Sequence, residues 1–432
     1  MVWRDVFLGV IAVATLAIAV AQIGVIIAAG LMARRVGRMV EQLERDVKPL
    51  FGHLNVIGAD ASRAVAQMAP AAVLVAGSEL GSGFAALAKQ IAAAKPYLPL
   101  IVIDPVIPLP DNAIPFSQSG GNFDRLMARL RAALRVRTLH LTALRRIDDD
   151  PTAAATLAQT DSTHDATVLL IGRGASYPAL SVSLGHRMGV VGALSIEAAA
   201  NHLNIRDIDG VVLGEGFSLR VEDAFLTVLS EDARFRHLPV VMTTDGLAPA
   251  YDLPNLEIIT ADPERVAANA LPLIRQHAFE AYLGRTLRSI DAGGLLDART
   301  GLLTSGAFQR DFATAVHQTL SQGGGLSVAR FAFDASHPRA QLDGARILSR
   351  LMRQMDFGTA EADGSVIVVF AETDLRTAHM IARRLSSVMR HTSHGKRDTR
   401  SEPVVTLASL LPSDSAKSLL ARLYDQAQRA AS

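Results

Sequence analysis

The chain has 432 residues, enough for roughly two to four domains with separate cores. Its 43 Lys and Arg nearly cancel its 42 Asp and Glu, which excludes a global basic field for nucleic acid and an acidic tail. Cysteine is absent, so disulfides and thiolate metal sites are excluded, in keeping with a reducing compartment.

Val6 to Met32 carries no charge, and only Gln22, Thr15 and glycines interrupt it. A bilayer core takes about 20 apolar residues in a helix, and this run exceeds the core of about 7–15 residues usual in a secretory signal. The expectation is a single-pass transmembrane anchor over residues 1–33, with a cleaved signal peptide as the alternative. Arg34, Arg35 and Arg38 follow at once, against Arg4 and Asp5 before the run. The positive-inside rule then places everything beyond residue 33 in the cytoplasm, on the inner (plasma) membrane. Over 34–69, Val36, Met39, Val40, Leu43, Val47, Leu50, Leu54 and Ile57 recur at helical steps, with Pro49 as a kink or break. This juxtamembrane helix either packs on the next domain or dimerises the protein.

Over 70–147, short apolar runs alternate with amphipathic helices: strand Ala71–Ala76, helix Phe84–Ala94, strand Leu98–Asp104, a short strand at Ala113–Phe116 and a helix from about Asn122 to Arg137. Such alternation predicts a parallel sheet covered on both faces. The polar segment 148–165 reads as a linker. A fuller copy spans 166–292. Its strands are Thr167–Ile171, Val190–Leu194, Gly210–Leu213, Leu238–Thr244 and Leu256–Thr260. Its helices are Pro178–Met188, Ser195–Asn204, Val221–Leu229 and Pro263 to about Ile290. The fold class expected here is α/β.

Five strands alternating with helices in this order resemble a response-regulator receiver domain, a flavodoxin-like fold. The first copy resembles the latter part of that fold and lacks an obvious opening strand–helix–strand. The resemblance implies phosphotransfer to an aspartate, with acidic residues holding magnesium and a Thr or Ser and a Lys on the phosphoryl group. At the matching positions this chain has Gly172-Arg173 for the acidic pair, Gly214 (beside Glu215) for the acceptor, Thr244, and Ala261-Asp262-Pro263 where lysine belongs. In the first copy they are Ala76, Asp104 and Gln118-Ser119. Neither copy is expected to accept phosphate.

Gly172-Arg173-Gly174 after a strand invites a dinucleotide-loop reading, but Tyr177 stands where the third glycine belongs. His391 and His394 lie in a polar stretch without further metal ligands nearby, which reads as a solvated loop.

Within 293–432, Asp297-Ala298-Arg299-Thr300-Gly301-Leu302 is followed by Thr304-Ser305-Gly306 and Phe308. This stretch resembles the entry pattern of a GGDEF (diguanylate cyclase) domain, with Thr304-Ser305-Gly306 in place of the usual Asn-Arg-Arg. Strands are expected at Leu326–Phe333, Ser365–Phe370 and Val404–Leu411, and helices at Asp374–Met389 and Ser415–Ala430. The resemblance implies that two GTP molecules join with metal ions neutralising charge, but the required groups are replaced. Ala332 stands at one metal-ligand position, with Asp334 as the second acid of that pair. The signature aligns with Ala362, Asp363, Gly364, Ser365 and Val366. The guanine-contacting positions have no counterpart in Ala335–Asp343. Arg353-Gln354-Met355-Asp356 matches the family's Arg-x-x-Asp product site, which implies cyclic di-GMP contact by Arg353 and Asp356. An ordinary exposed ion pair at a helix end is the other reading.

The expected protein is therefore a membrane-anchored, catalytically inactive member of the cyclic di-GMP network. It acts as a scaffold or cyclic di-GMP receptor, pairs as a homodimer or with a signalling partner, and needs no cofactor. The alternative is a divergent active cyclase, which would need magnesium. A purely structural partner-binding module is the third reading.

Overall fold

The computed structural model describes residues 70–81, 83–117, 124–147, 165–244, 251–260, 262–335, 338–389 and 402–431. The span expected at Val6–Met32, the helix at 34–69 and, apart from Asp165, the linker at 148–165 lie outside the described residues. Among the described residues no helix is long and apolar enough to cross a membrane. Residues from Met68 onward form one compact unit.

The first module opens with strand β1 (Val73–Ala76) and helix α1 (Phe84–Ala92), then β2 (Leu100–Ile103), β3 (Ala113–Phe116) and α2 (Asp124–Ile147). Its three strands are parallel in the order β1-β2-β3. The α1 helix buries Phe84, Leu87, Ala88 and Ile91, the spacing of a one-faced helix. The α2 helix runs ten residues past the expected Arg137 because its second half also finds a partner: Val136, Ala143 and Ile147 pack with Leu283.

The second module comprises β4 (Thr167–Ile171), α3 (Tyr177–Gly185), β5 (Gly189–Ala193), α4 (Ile196–Ile205), β6 (Gly210–Leu213), α5 (Leu219–Glu231), β7 (Val240–Met242), β8 (Leu256–Ile258) and α6 (Pro263–Asp291). All five strands are parallel, in the order β5-β4-β6-β7-β8. This is the doubly wound 2-1-3-4-5 order. The continuous apolar strands split by alternation, as period two demands. Val168, Leu170, Val212 and Val241 face α3 and α6, while Leu169, Ile171, Val211, Leu213 and Met242 face α4 and α5. The Asp262 carboxylate caps α6 by accepting from the Glu264 and Arg265 amides, both at 3.1 Å, with Pro263 in the first turn.

The two modules share one core. Ile101, Ile114 and Phe116 of the first sheet pack with Val266, Ala270 and Ile274 of α6. Among the described residues this three-stranded sheet is thus covered in part by a helix of its neighbour. The α2 and α6 helices pack together, and their ion pairs Arg135–Glu280 and Arg146–Asp291 advance in the same direction, so they run parallel. Arg129 of α2 is fully buried. It donates to Glu257 Oε1 at 2.8 Å and to the carbonyls of Pro254 (2.6 Å), Pro115 (2.7 Å) and Leu256 (3.2 Å).

The C-terminal module adds α7 (Ser305–Gln322), β9 (Leu326–Ala332), α8 (Pro338–Leu351), β10 (Phe357–Ala360), β11 (Val366–Ala371), α9 (Leu375–Met389), β12 (Val404–Ser409) and α10 (Ala416–Ala431). Its sheet is antiparallel, in the order β10-β11-β9-β12. Ala329, Phe331, Val366 and Val368 face α8 and α9, whereas Val328, Ile367 and Val369 face α7 and α10. A polar seam ties this module to the second. Arg206 forms a buried ion pair with Asp343 of α8, Arg299 holds Asp165 with bonds of 2.7 and 2.8 Å, and Arg346 donates to the Asp165 carbonyl at 3.2 Å.

Candidate functional site

The entry motif is a turn with structural work to do. The Asp297 carboxylate accepts from the amide of Thr300 (2.9 Å) and its hydroxyl, and its backbone carbonyl accepts from the Gly301 amide at 2.7 Å. Gly301 sits at φ +78°, where a side chain would be strained and its Cβ would lie 2.9 Å from Ser349 Oγ.

The signature residues form the hairpin turn between β10 and β11, with Val366 the first residue of β11. Glu361 N donates to Ser365 O (2.8 Å) and Gly364 N to Glu361 O (3.0 Å), with Gly364 at φ +80°. Both carboxylate oxygens of Asp363 are engaged. Oδ1 accepts from the amide (2.9 Å) and hydroxyl (2.6 Å) of Ser365, and Oδ2 from Arg330 at 2.6 Å. Burial pushes the Asp363 carboxyl up, but the Ser365 bonds and the Arg330 guanidinium outweigh it and hold the group below the usual range. Arg330 reaches the turn from β9, beside the Tyr424 ring at 6.0 Å. The Gln341 side chain of α8 lies over Gly364 so closely that a Cβ there would meet it at 2.2 Å. The turn is closed by the chain's own side chains.

Ala332 ends β9 and offers no donor, and Asp334 follows it in an exposed loop. A magnesium site needs several convergent carboxylate oxygens. With Ala332 at the strand end and Asp363 bonded on both oxygens, the residues present do not fit one. No group of three or more acids or histidines able to hold a metal occurs among the described residues.

Arg353 and Asp356 occupy the loop from α8 to β10. Arg353 is exposed, whereas Asp356 turns inward and is 7% exposed. Its amide donates to Arg353 O at 3.0 Å, and its Oδ1 accepts from Ala371 N at 3.2 Å. Oδ2 is buried without a partner among the described residues. Burial raises the Asp356 carboxyl above its usual range, opposed by the two backbone bonds and the Arg353 charge. The exposed surface pair that the sequence allowed is therefore corrected: one member is outside and the other is in, because the β11 end supplies an amide that a carboxylate can cap.

The positions singled out by the receiver resemblance are engaged in the same way. The amides of Arg173 and Gly174, which a phosphate would need, both donate to Glu215 O at 2.9 and 3.1 Å. Arg173 stacks on Phe217 at 4.9 Å. The Gly214 amide donates to the Ile171 carbonyl at 2.7 Å, and Asp262 is spent on capping α6. Ala76 ends β1, and Asp104 bonds to the Phe116 carbonyl through its amide at 2.8 Å. Gln118, Ser119, His391 and His394 lie outside the described residues. Thr244 donates to Glu222, a residue the sequence did not single out; Glu222 is 2% exposed and burial raises its carboxyl. A glutamate in the first turn of a helix carries no sequence signal of burial, so pattern alone could not have found it.

No protein-family model matches the chain, and no curated protein matches it either. Solved structures that resemble it include GGDEF domains. The coiled coil and GGDEF domain of DgcB from Caulobacter crescentus, in complex with c-di-GMP, is 14% identical at a TM-score of 0.30, over 34% of this chain and 87% of that one. A sensory box/GGDEF family protein from Caulobacter crescentus CB15 is 22% identical at 0.27, over 31% and 96%. The FimX GGDEF domain from Pseudomonas aeruginosa is 16% identical at 0.29, over 32% and 93%. These similarities cover about a third of the chain at scores too low to bear on function.

Proposed function

We propose that the chain is a non-catalytic signalling protein of the cyclic di-GMP network, in which a GGDEF-like module binds rather than turns over nucleotide. The observation that carries this reading is the closed signature turn, with Asp363 held by Arg330 and Ser365 and Gln341 laid over Gly364. A turn whose polar groups are already satisfied gives a phosphate or a metal nothing to bind.

Arg353 and Asp356 are the contacts we assign to cyclic di-GMP. The exposed guanidinium can fork onto guanine or phosphate. Asp356 meets a guanine edge by giving up the Ala371 amide, and its unpartnered Oδ2 lowers the cost of that move. The two parallel-sheet modules are receiver-like surfaces that have lost their phosphate chemistry and serve docking. Together with Val6–Met32 as a membrane anchor and the following helix as a stalk, they place the receptor beside a partner or a second copy. Calorimetric titration of the full chain with cyclic di-GMP is expected to give saturable heat that Arg353→Ala abolishes. Absent heat, or equal binding by the variant, would sink the assignment.

A further inference from the structure

Among the described residues, β12 is the outer strand of the C-terminal sheet. Its register fixes which backbone groups face away from β9. Leu410 N donates to Leu326 O at 2.8 Å, and the two stand directly opposite in the ladder. In an antiparallel pair such positions alternate, so 408, 406 and 404 bond to β9 while Val405 and Leu407 turn their N–H and C=O groups outward. The Ser409 carbonyl, of the same parity, is indeed met from outside by Arg422 at 2.7 Å.

Along that edge runs a groove of about 510 Å³, walled by His379, Met380, Arg383 and Ser386 of α9 and by Val405 and Leu407. Ser386 is 4% exposed, and its Oγ has no hydrogen-bond partner among the described residues. Met380 is 61% exposed. The α9 helix carries Arg376, His379, Arg383 and Arg384 and no acid. Among the described residues, the only acid lining the groove is Glu402, at its β12 end.

We propose that this groove takes an extended, acidic segment of a partner protein, added to β12 as a further strand. The main chain of the segment bonds to Val405 and Leu407. Alternate side chains enter over Met380, and the acidic ones meet Arg383 and His379. Charge selects the occupant: strand β12 of a second copy is Val404–Ser409, which brings no acid to that wall. The proposal is independent of cyclic di-GMP and of the Arg353 loop.

The test uses the full-length chain and a fluorescein-labelled, end-blocked hexapeptide of alternating Glu and Val, read by anisotropy against its Lys/Val counterpart. The acidic peptide is expected to bind at least about tenfold more tightly than the basic one, and Arg383→Glu to weaken it by about tenfold. Leu407→Pro removes an outward amide while leaving the β9 ladder intact, and is expected to weaken both charge forms alike. Far-UV circular dichroism checks each fold; should Leu407→Pro fail to fold, Arg383→Glu alone decides. Equal binding of the two peptides, no binding, or indifference to Arg383→Glu overturns the proposal. So does a dimer in sedimentation that Leu407→Pro dissolves, because the occupant would then be a second copy.

Discussion

Arg129→Ala tests whether the first two modules stand or fall together. The substitution removes the partner of Glu257, which is 1% exposed, and strips a donor from the carbonyls of Pro115 and Pro254. Breaking a buried ion pair from one side costs about 3–5 kcal/mol, since the remaining charge stays out of water. At about 2–4 °C per kcal/mol for a unit of 150–250 residues, the midpoint should fall by about 6–20 °C. Thermal and urea unfolding of the full chain, followed by circular dichroism, reads this directly. Arg129→Lys should rescue little, because a point charge cannot span four acceptors on two segments. Arg129→Met with Glu257→Leu should recover part of the loss, short of full, because the carbonyls remain uncovered and Ser117 N loses its acceptor at 3.2 Å. A fall below about 1 kcal/mol for Arg129→Ala would refute the idea that this guanidinium fastens the shared core.

Asp356→Asn should stabilise the chain at pH 7 while weakening cyclic di-GMP binding. A carboxyl raised in the folded state favours folding below its ordinary value and loses that contribution as pH rises through the raised one. The amide keeps an acceptor for Ala371 N and cannot ionise. Melting curves of both proteins at about pH 3.5, below the ordinary carboxyl value, and at pH 8 should therefore differ more at pH 8, and an unchanged gap would count against the inward carboxylate. Incubation with GTP and magnesium, followed by chromatography, should yield no cyclic di-GMP, and product at rates above a no-protein control would restore the cyclase reading. Gly364→Ala should cost about 1–2 kcal/mol, read by urea unfolding, because an L-residue is strained at φ +80°.

Much of the doubly wound layout was legible, because buried parallel strands such as Thr167–Ile171 and Gly210–Leu213 are continuous apolar runs cut by turns. The signature turn was legible as altered, but not as closed. Its closure depends on Arg330, thirty-three residues away on another strand, and on Gln341 from a helix. The β10 strand, Phe357–Ala360, escaped notice because four residues with a glycine carry no period. The length of α2 was readable in the spacing of Val136, His140, Ala143 and Ile147, but only its pairing with α6 gives that stripe a reason to be helical. The inward turn of Asp356 had no sequence signal, since it rests on one amide at the end of β11.

The core shared by the first sheet and α6 also sets an order of events during synthesis. Strands β1 to β3 leave the ribosome long before residues 263–291 exist, and the Arg129–Glu257 pair joins positions 128 apart. Loop closure of that span has to precede any reward from burial. The nascent first module therefore waits with Ile101, Ile114 and Phe116 covered only in part, by Leu126 and Leu130 of its own α2, and its window of exposure to chaperones and proteases ends only when the second module's last helix arrives.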